Sequence, residues 1–300
     1  MMNKYQFDEE LKPYSFFNFN IGNEWIVSKM NVLLQPPLSL FVRKDIDVKV
    51  LKFKHHEMYE ITPKKLTGIV PCLLFIHGGG FVMDGAPYHF DYAIQYAKAL
   101  KCKVFYIRYR LAPTYPYPCG LLDCFHALKY ILKHYQLLNL DKDKIGFIGD
   151  SAGGNLVAAL NLLAKEKLNF TSKFQVLIYP VIDQFENYQS KIQYIDTPNW
   201  NSKLNKMMWK AYIKDETTTK YASLMENTTL IQVPTYIETC EFDCLHDEAI
   251  QYALYLKKMG CEVILNETKG TFHGYDVFSH LNISKKAVQT RIMYMKKHFN

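Results

Sequence analysis

The hydrophobic pattern changes period along the chain, and each change marks an element. From Asp45 to Phe53 apolar and polar residues alternate, with Ile46, Val48 and Val50 on one side, which predicts an edge strand buried on one face. Pro63-Lys64-Lys65-Leu66-Thr67-Gly68 reads as a turn before the next strand, so antiparallel pairing is expected here. From Pro71 the runs become nearly continuous, Cys72 to Ile76 and Cys102 to Ile107, as in parallel strands covered on both faces. A helix over 91–100 separates them. Further helices over 121–135, from 152 to about 167, over 247–259 and from about 285 alternate with strands ending near Ile148 and over 174–181, 235–239 and 262–265. That alternation predicts an α/β fold, a mostly parallel doubly wound sheet with right-handed crossovers.

One interval breaks the rhythm: about fifty residues separate Val181 from Thr235. Within it Leu204, Met207, Met208, Ala211 and Tyr212 recur at helical spacing behind Ser202 as N-cap, which predicts an amphipathic helix. Two readings stand for it: one more core helix, or a lid whose Trp200, Met207, Met208 and Trp209 line an acyl or aromatic pocket. Residues 1–44 are aromatic-rich, and Gln35-Pro36-Pro37 would stop a helix begun near Asn23. They form a cover or a simple arm.

Composition narrows the class. A chain of 300 residues with 49% hydrophobic content supports a large core without staples. Its seven cysteines are odd in number and contain no C-x-x-C pair, so reduced thiols and a cytoplasmic address are expected. The first twenty residues carry Lys4, Asp8, Glu9, Glu10 and Lys12 and show no basic-then-apolar leader, and no uncharged apolar window is long enough to span a bilayer. The net charge of +7 is scattered in pairs such as Lys64-Lys65 and Lys296-Lys297, as on a solvated surface, with no nucleic-acid fingerprint. Neither nucleic acid nor membrane insertion is expected.

The chemistry gathers at two glycine clusters. Gly149-Asp150-Ser151-Ala152-Gly153 joins an apolar strand to a helix, and a serine on such a turn is pushed out while glycines to either side relieve the crowding. The helix that follows aims its N-terminal amides at the same point. His77-Gly78-Gly79-Gly80-Phe81 ends the first parallel strand, where bare amides can face a developing oxyanion. Gly79, Gly80 and Ala152 are therefore the candidate oxyanion donors, with His77 holding the loop. Of ten histidines, His273 alone follows a strand, lies between Gly270 and Gly274, and comes after a set of acids, so it is the candidate base. For the orienting acid Asp243 competes with Glu238, Glu241 and Asp247, while Asp247 and Glu248 are accounted for as charges on a helix N-terminus.

These residues resemble the hormone-sensitive-lipase-like branch of the α/β-hydrolases, of the bacterial acetyl-esterase type. The resemblance runs from about residue 70 to 300 through His77-Gly-Gly-Gly80, Tyr109-Arg-Leu-Ala-Pro113, Gly149-Asp-Ser-Ala-Gly-Gly154, Asp243-Cys-Leu-His-Asp-Glu248 and His273-Gly274. It implies Ser151, Asp243 and His273 as a catalytic triad. It also implies a core of 45–184 and 216–300 under a cap made of 1–44 and 185–215, with Trp200, Met207, Met208 and Tyr275 as pocket residues. The implied activity is hydrolysis of small short-acyl esters through an acyl-enzyme on Ser151. No metal or organic cofactor is implied, and the chain would act as a monomer or homodimer. An amidase or deacetylase with the same triad is the neighbouring alternative, and a non-catalytic small-molecule-binding relative the distant one. The chain departs from the family pattern at Cys244 and Leu224, where prolines are usual, and the Cys244 thiol is a candidate point of oxidation.

Overall fold

The computed structural model describes residues 4–16, 43–185, 187–214, 220–227, 229 and 231–300. The helix expected near Asn23 lies outside them. Among the described residues one sheet holds eight strands: β1 (Ile46–Lys52), β2 (Glu57–Pro63), β3 (Val70–Ile76), β4 (Lys103–Arg108), β5 (Leu140–Asp150), β6 (Gln175–Ile178), β7 (Thr235–Phe242) and β8 (Val263–Phe272). Their order is β1-β2-β4-β3-β5-β6-β7-β8. β2 runs antiparallel to β1 and β4, and every other pair is parallel.

The unbroken apolar runs follow from cover on both faces. Along β3, Cys72, Leu74 and Ile76 enter one core cluster and Leu73 and Phe75 the other. Helices α1 (Pro87–Leu100) and α7 (Asn282–Phe299) pack on one face of the sheet, and α2 (Cys119–His134), α3 (Ala152–Leu168) and α6 (His246–Lys258) on the opposite face. None of the described helices is long and apolar enough to cross a membrane.

Several elements exceed their sequence signals for local reasons. Helix α1 begins four residues before Asp91, because Pro87 supplies its first turn and His89 Nδ1 accepts from the Ala86 amide at 2.9 Å. β8 continues through the polar stretch Asn266–Lys269, which resembles a loop in sequence. As a sheet-edge strand it alternates exposed with half-buried positions, and it stays paired with β7 as far as Phe242↔Phe272. That extension delivers His273 to the end of the sheet where Ser151 stands.

Between β6 and β7 lie two helices, α4 (Gln189–Gln193) and α5 (Ser202–Tyr212). The N-cap of α5 is Asn201 and not Ser202: the Asn201 side chain accepts from the amides of Lys203 and Leu204, while Ser202 Oγ donates to the Tyr194 carbonyl. The buried stripe is also rotated from the expected one. Leu204, Asn205, Met208, Trp209 and Tyr212 face inward, and Met207 is 40% exposed. Residues 4–16 lie along the outer ends of β7 and β8, where Tyr5 and Phe7 pack on Phe242, Phe7 meets Phe272, and Tyr14 stacks on Phe278.

Candidate active site

The carboxyl ends of β3, β5, β7 and β8 meet at one point. Ser151 follows β5 directly, with φ +53° and ψ −119°, a conformation that L-residues avoid. It is held there because its amide donates to the Ile178 carbonyl at 2.8 Å and its own carbonyl accepts from Val181 and Asn155. A Cβ on Gly153 would collide with the Ile76 and His77 carbonyls, so the first turn of α3 can approach β3 only if that residue is glycine.

His273 stands with its Nε2 2.9 Å from Ser151 Oγ and its Nδ1 2.7 Å from Asp243 Oδ2. A carboxylate only accepts, so Nδ1 carries the proton and Nε2 is left to accept from the serine hydroxyl. Asp243 is oriented by the Leu245 amide, which donates to Oδ1 at 2.9 Å. All three side chains are buried. The competing acids are engaged elsewhere: Glu238 with Arg291, Glu241 with the Gly270 amide, Asp247 with the Ser190 amide. Asp243 is thus the carboxylate of the four that touches His273.

Beside them the His77–Phe81 loop is locked from behind. The Gly79 carbonyl accepts from Val82 and Met83, and the Gly78 amide donates to Asp150 Oδ1 at 3.0 Å. Among the described residues no group accepts from the Gly79, Gly80 or Ala152 amides. His77 is wholly buried, and that burial lowers its pKa to about 4, so the ring is neutral. Its Nδ1–H donates to the Gly78 carbonyl, its ring stacks on Tyr109 at 4.4 Å, and Tyr109 Oη donates back to the His77 carbonyl. Burial would raise the Asp150 carboxyl, but His89 at 3.0 Å and the Gly78 amide hold it below its ordinary value.

A cavity of about 120 Å³ opens over these groups, with Gly79, Gly80, Ser151 and His273 in its wall together with Met83, Tyr88, Tyr179, Trp200 and Val277. Of the four residues expected in the pocket, Trp200 lines it. Met208 sits behind Gly80 and Met207 faces solvent, because the turn of α5 aims them there. Tyr275 points away from the cavity and donates to Glu238 Oε1 at 3.0 Å. Tyr88, Tyr179 and Val277 were not singled out in the sequence. The one usable signal was that Tyr179 follows β6 at the same sheet edge as the serine.

Two further corrections concern the acid loop. Glu248 is more than a charge at a helix N-terminus: it forms a buried pair with Lys191 of α4 at 2.5 Å and accepts from the Ile182 amide. Cys244 is fully buried, and burial raises its thiol well above the ordinary value, so both access and thiolate character oppose oxidation.

A family model for the α/β-hydrolase fold matches residues 73–277. The chain belongs to the α/β-hydrolase family, in its hormone-sensitive-lipase-like branch. Carboxylesterase NlhH of Mycobacterium tuberculosis is 31% identical to this α/β-hydrolase over 70% of the chain and 68% of the relative. Arylacetamide deacetylase of Bos taurus is 27% identical over 74% and 72%. Among solved structures, a bacterial heroin esterase matches 98% of both chains with a TM-score of 0.89 and 28% identity. This α/β-hydrolase is accordingly a carboxylic-ester hydrolase.

Proposed function

We propose that this hydrolase cleaves small, short-acyl carboxylic esters through an acyl-enzyme on Ser151. The observation that carries the reading is the continuous relay from Ser151 Oγ to His273 to Asp243 at 2.9 and 2.7 Å. Ser151 Oγ attacks the ester carbonyl while its proton passes to His273 Nε2; Asp243 stabilises the imidazolium that forms. The oxygen of the tetrahedral intermediate takes its charge toward the amides of Gly79, Gly80 and Ala152. His273 then protonates the departing alcohol. Water enters, loses a proton to the same nitrogen and releases the acid. The low volume of the cavity and its Met83, Tyr179, Trp200 and Val277 walls favour a short, apolar acyl group. In this reading 185–215 caps a core of 45–184 and 216–300, and of the arm 1–44 expected to join that cap, residues 1–3 and 17–42 lie outside the described ones. Amide cleavage by the same serine is the second reading, favoured by the likeness to arylacetamide deacetylase.

The test is hydrolysis of p-nitrophenyl esters from acetate to decanoate, with matched anilides alongside and Ser151→Ala as control. A rate maximum at short acyl chains and a loss of roughly 10⁴-fold or more in Ser151→Ala is expected. Turnover that survives in Ser151→Ala would remove the proposal, and anilides cleaved faster than the esters would favour the second reading.

A further inference from the structure

The loop that carries His273 rests on a buried charged cluster that the relay itself does not include. Arg291, on α7, is fully buried between two carboxylates. Its Nε and Nη2 donate to Glu238 at 3.0 and 2.5 Å, and its Nη1 to Asp276 Oδ2 at 2.7 Å. Asp276 stands three residues beyond His273. Its Oδ1 accepts from Tyr179 Oη at 2.5 Å, and its backbone carbonyl accepts from Tyr92 Oη. An ion cluster of this kind is weak evidence for stability and stronger evidence for a fixed geometry, since removing one member strands the others.

Tyr179 joins that cluster to the site. Its φ of +34° is an outlier for a bulky side chain, and such strain persists only where surrounding contacts impose it. Its amide is tied to the Glu238 carbonyl at 2.7 Å, and its ring meets the His273 imidazole at a centroid distance of 4.7 Å and an angle of 62°. Both ends of the tyrosine are therefore anchored, and the part between them bears on the imidazole.

The need for such a brace changes during turnover. In the resting enzyme the imidazole is held at Nδ1 by Asp243 and at Nε2 by Ser151. Once Oγ is esterified it has no proton to donate, and the ring keeps only Asp243 and its packing neighbours. Water must then be activated by a ring in the same plane.

We propose that Tyr179 is a positioning residue for His273: its hydroxyl is pinned by Asp276, which Arg291 holds in turn, and its ring holds the imidazole plane through the acyl-enzyme stage. This rests on the acyl-enzyme reading above. The experiment compares Tyr179→Phe and Tyr179→Leu with the native protein in pre-steady-state hydrolysis of a p-nitrophenyl ester, with melting temperature measured in parallel. Tyr179→Phe lowers kcat about tenfold and Tyr179→Leu about a hundredfold, and KM falls alongside kcat, because a slowed deacylation lowers both. Deacylation slows more than the burst, so an acyl adduct on Ser151 accumulates by mass spectrometry. A raised KM at unchanged kcat would leave Tyr179 a wall of the substrate cavity and nothing more, and a lowered melting temperature at unchanged kcat would make it merely structural; either overturns the proposal. Should both variants fail to fold, Asp276→Asn keeps the shape while weakening the hold on the tyrosine, and unchanged deacylation there overturns it equally. Ser151→Ala run alongside separates the two levels: retained turnover defeats the acyl-enzyme reading, whereas full loss with unaltered Tyr179 variants defeats only the brace.

Discussion

Trp200 rests directly on Gly80: a Cβ at residue 80 would lie 2.7 Å from the indole Cη2. The segment between β6 and β7 thus touches the backbone of the His77–Phe81 loop at a position where a side chain is missing, and Gly80 itself has φ +59°. Gly80→Ala retains the amide but forces the indole to move. The expected result is a fall in kcat/KM of about a hundredfold, since small displacements of positioned groups are costly, against a stability loss of about 1–2 kcal/mol from the left-handed backbone. Adding Trp200→Leu removes the clash and recovers part of the rate, which a double-mutant cycle measures.

The proposed role of Asp243 predicts a loss that is kinetic and not structural. Asp243→Asn is close in shape but no longer compels Nδ1 of His273 to carry the proton. A drop in kcat of about 10⁴-fold with an unchanged circular dichroism spectrum is expected. Retention of more than about a tenth of native kcat would return the acid to one of its neighbours.

The Lys191–Glu248 pair ties α4 to the helix that follows the acid loop, with both side chains fully buried. Lys191→Met leaves the carboxylate without its cation and costs about 3–5 kcal/mol in urea unfolding near neutral pH. The deficit grows as pH rises through about 7, because burial pushes the Glu248 carboxyl up to about 7 even beside Lys191, and only above that value does its charge depend on the cation. The double change Lys191→Met with Glu248→Leu recovers most of the stability, since no charge is left stranded.

His77 makes the stability of the fold sensitive to acid. Its pKa is depressed to about 4 in the fold against 6.5 when unfolded. A depressed folded value means that the unfolded chain takes the proton first. The contribution is therefore complete above about pH 6.5 and is lost as pH falls toward 4, by about 3 kcal/mol in all. Denaturant midpoints of native protein and His77→Gln across that range measure it, with the native protein losing more. Equal slopes would show that His77 does not supply the effect.

How much was legible depends on how local each feature is. The strained serine turn, the glycine loop of β3 and His273 between its glycines are each written within a few consecutive residues, because a backbone that must bend or approach closely needs glycine at fixed offsets. Likewise the shift from alternating to continuous apolar runs is enough to separate the antiparallel β1 and β2 from the parallel strands that follow.

Other features have no local signature. Apart from the family resemblance, nothing near Asp243 tells it from Glu238, Glu241 and Asp247; that takes seeing whom each of them pairs with. Helical spacing marked a stripe on α5, yet whether Met207 or Asn205 faces inward depends on how that helix is rotated against Gly80 and Phe81. Arg291 and Glu238 meet across 53 residues and Tyr179 and Asp276 across 97. Sequence by itself determined which backbone conformations the chain can adopt and which faces must leave water, since both follow from the chemistry of neighbouring residues. Only the tertiary structure decided which distant charge answers which, and which ring bears on His273, because those choices are made when the sheet brings its strand ends together.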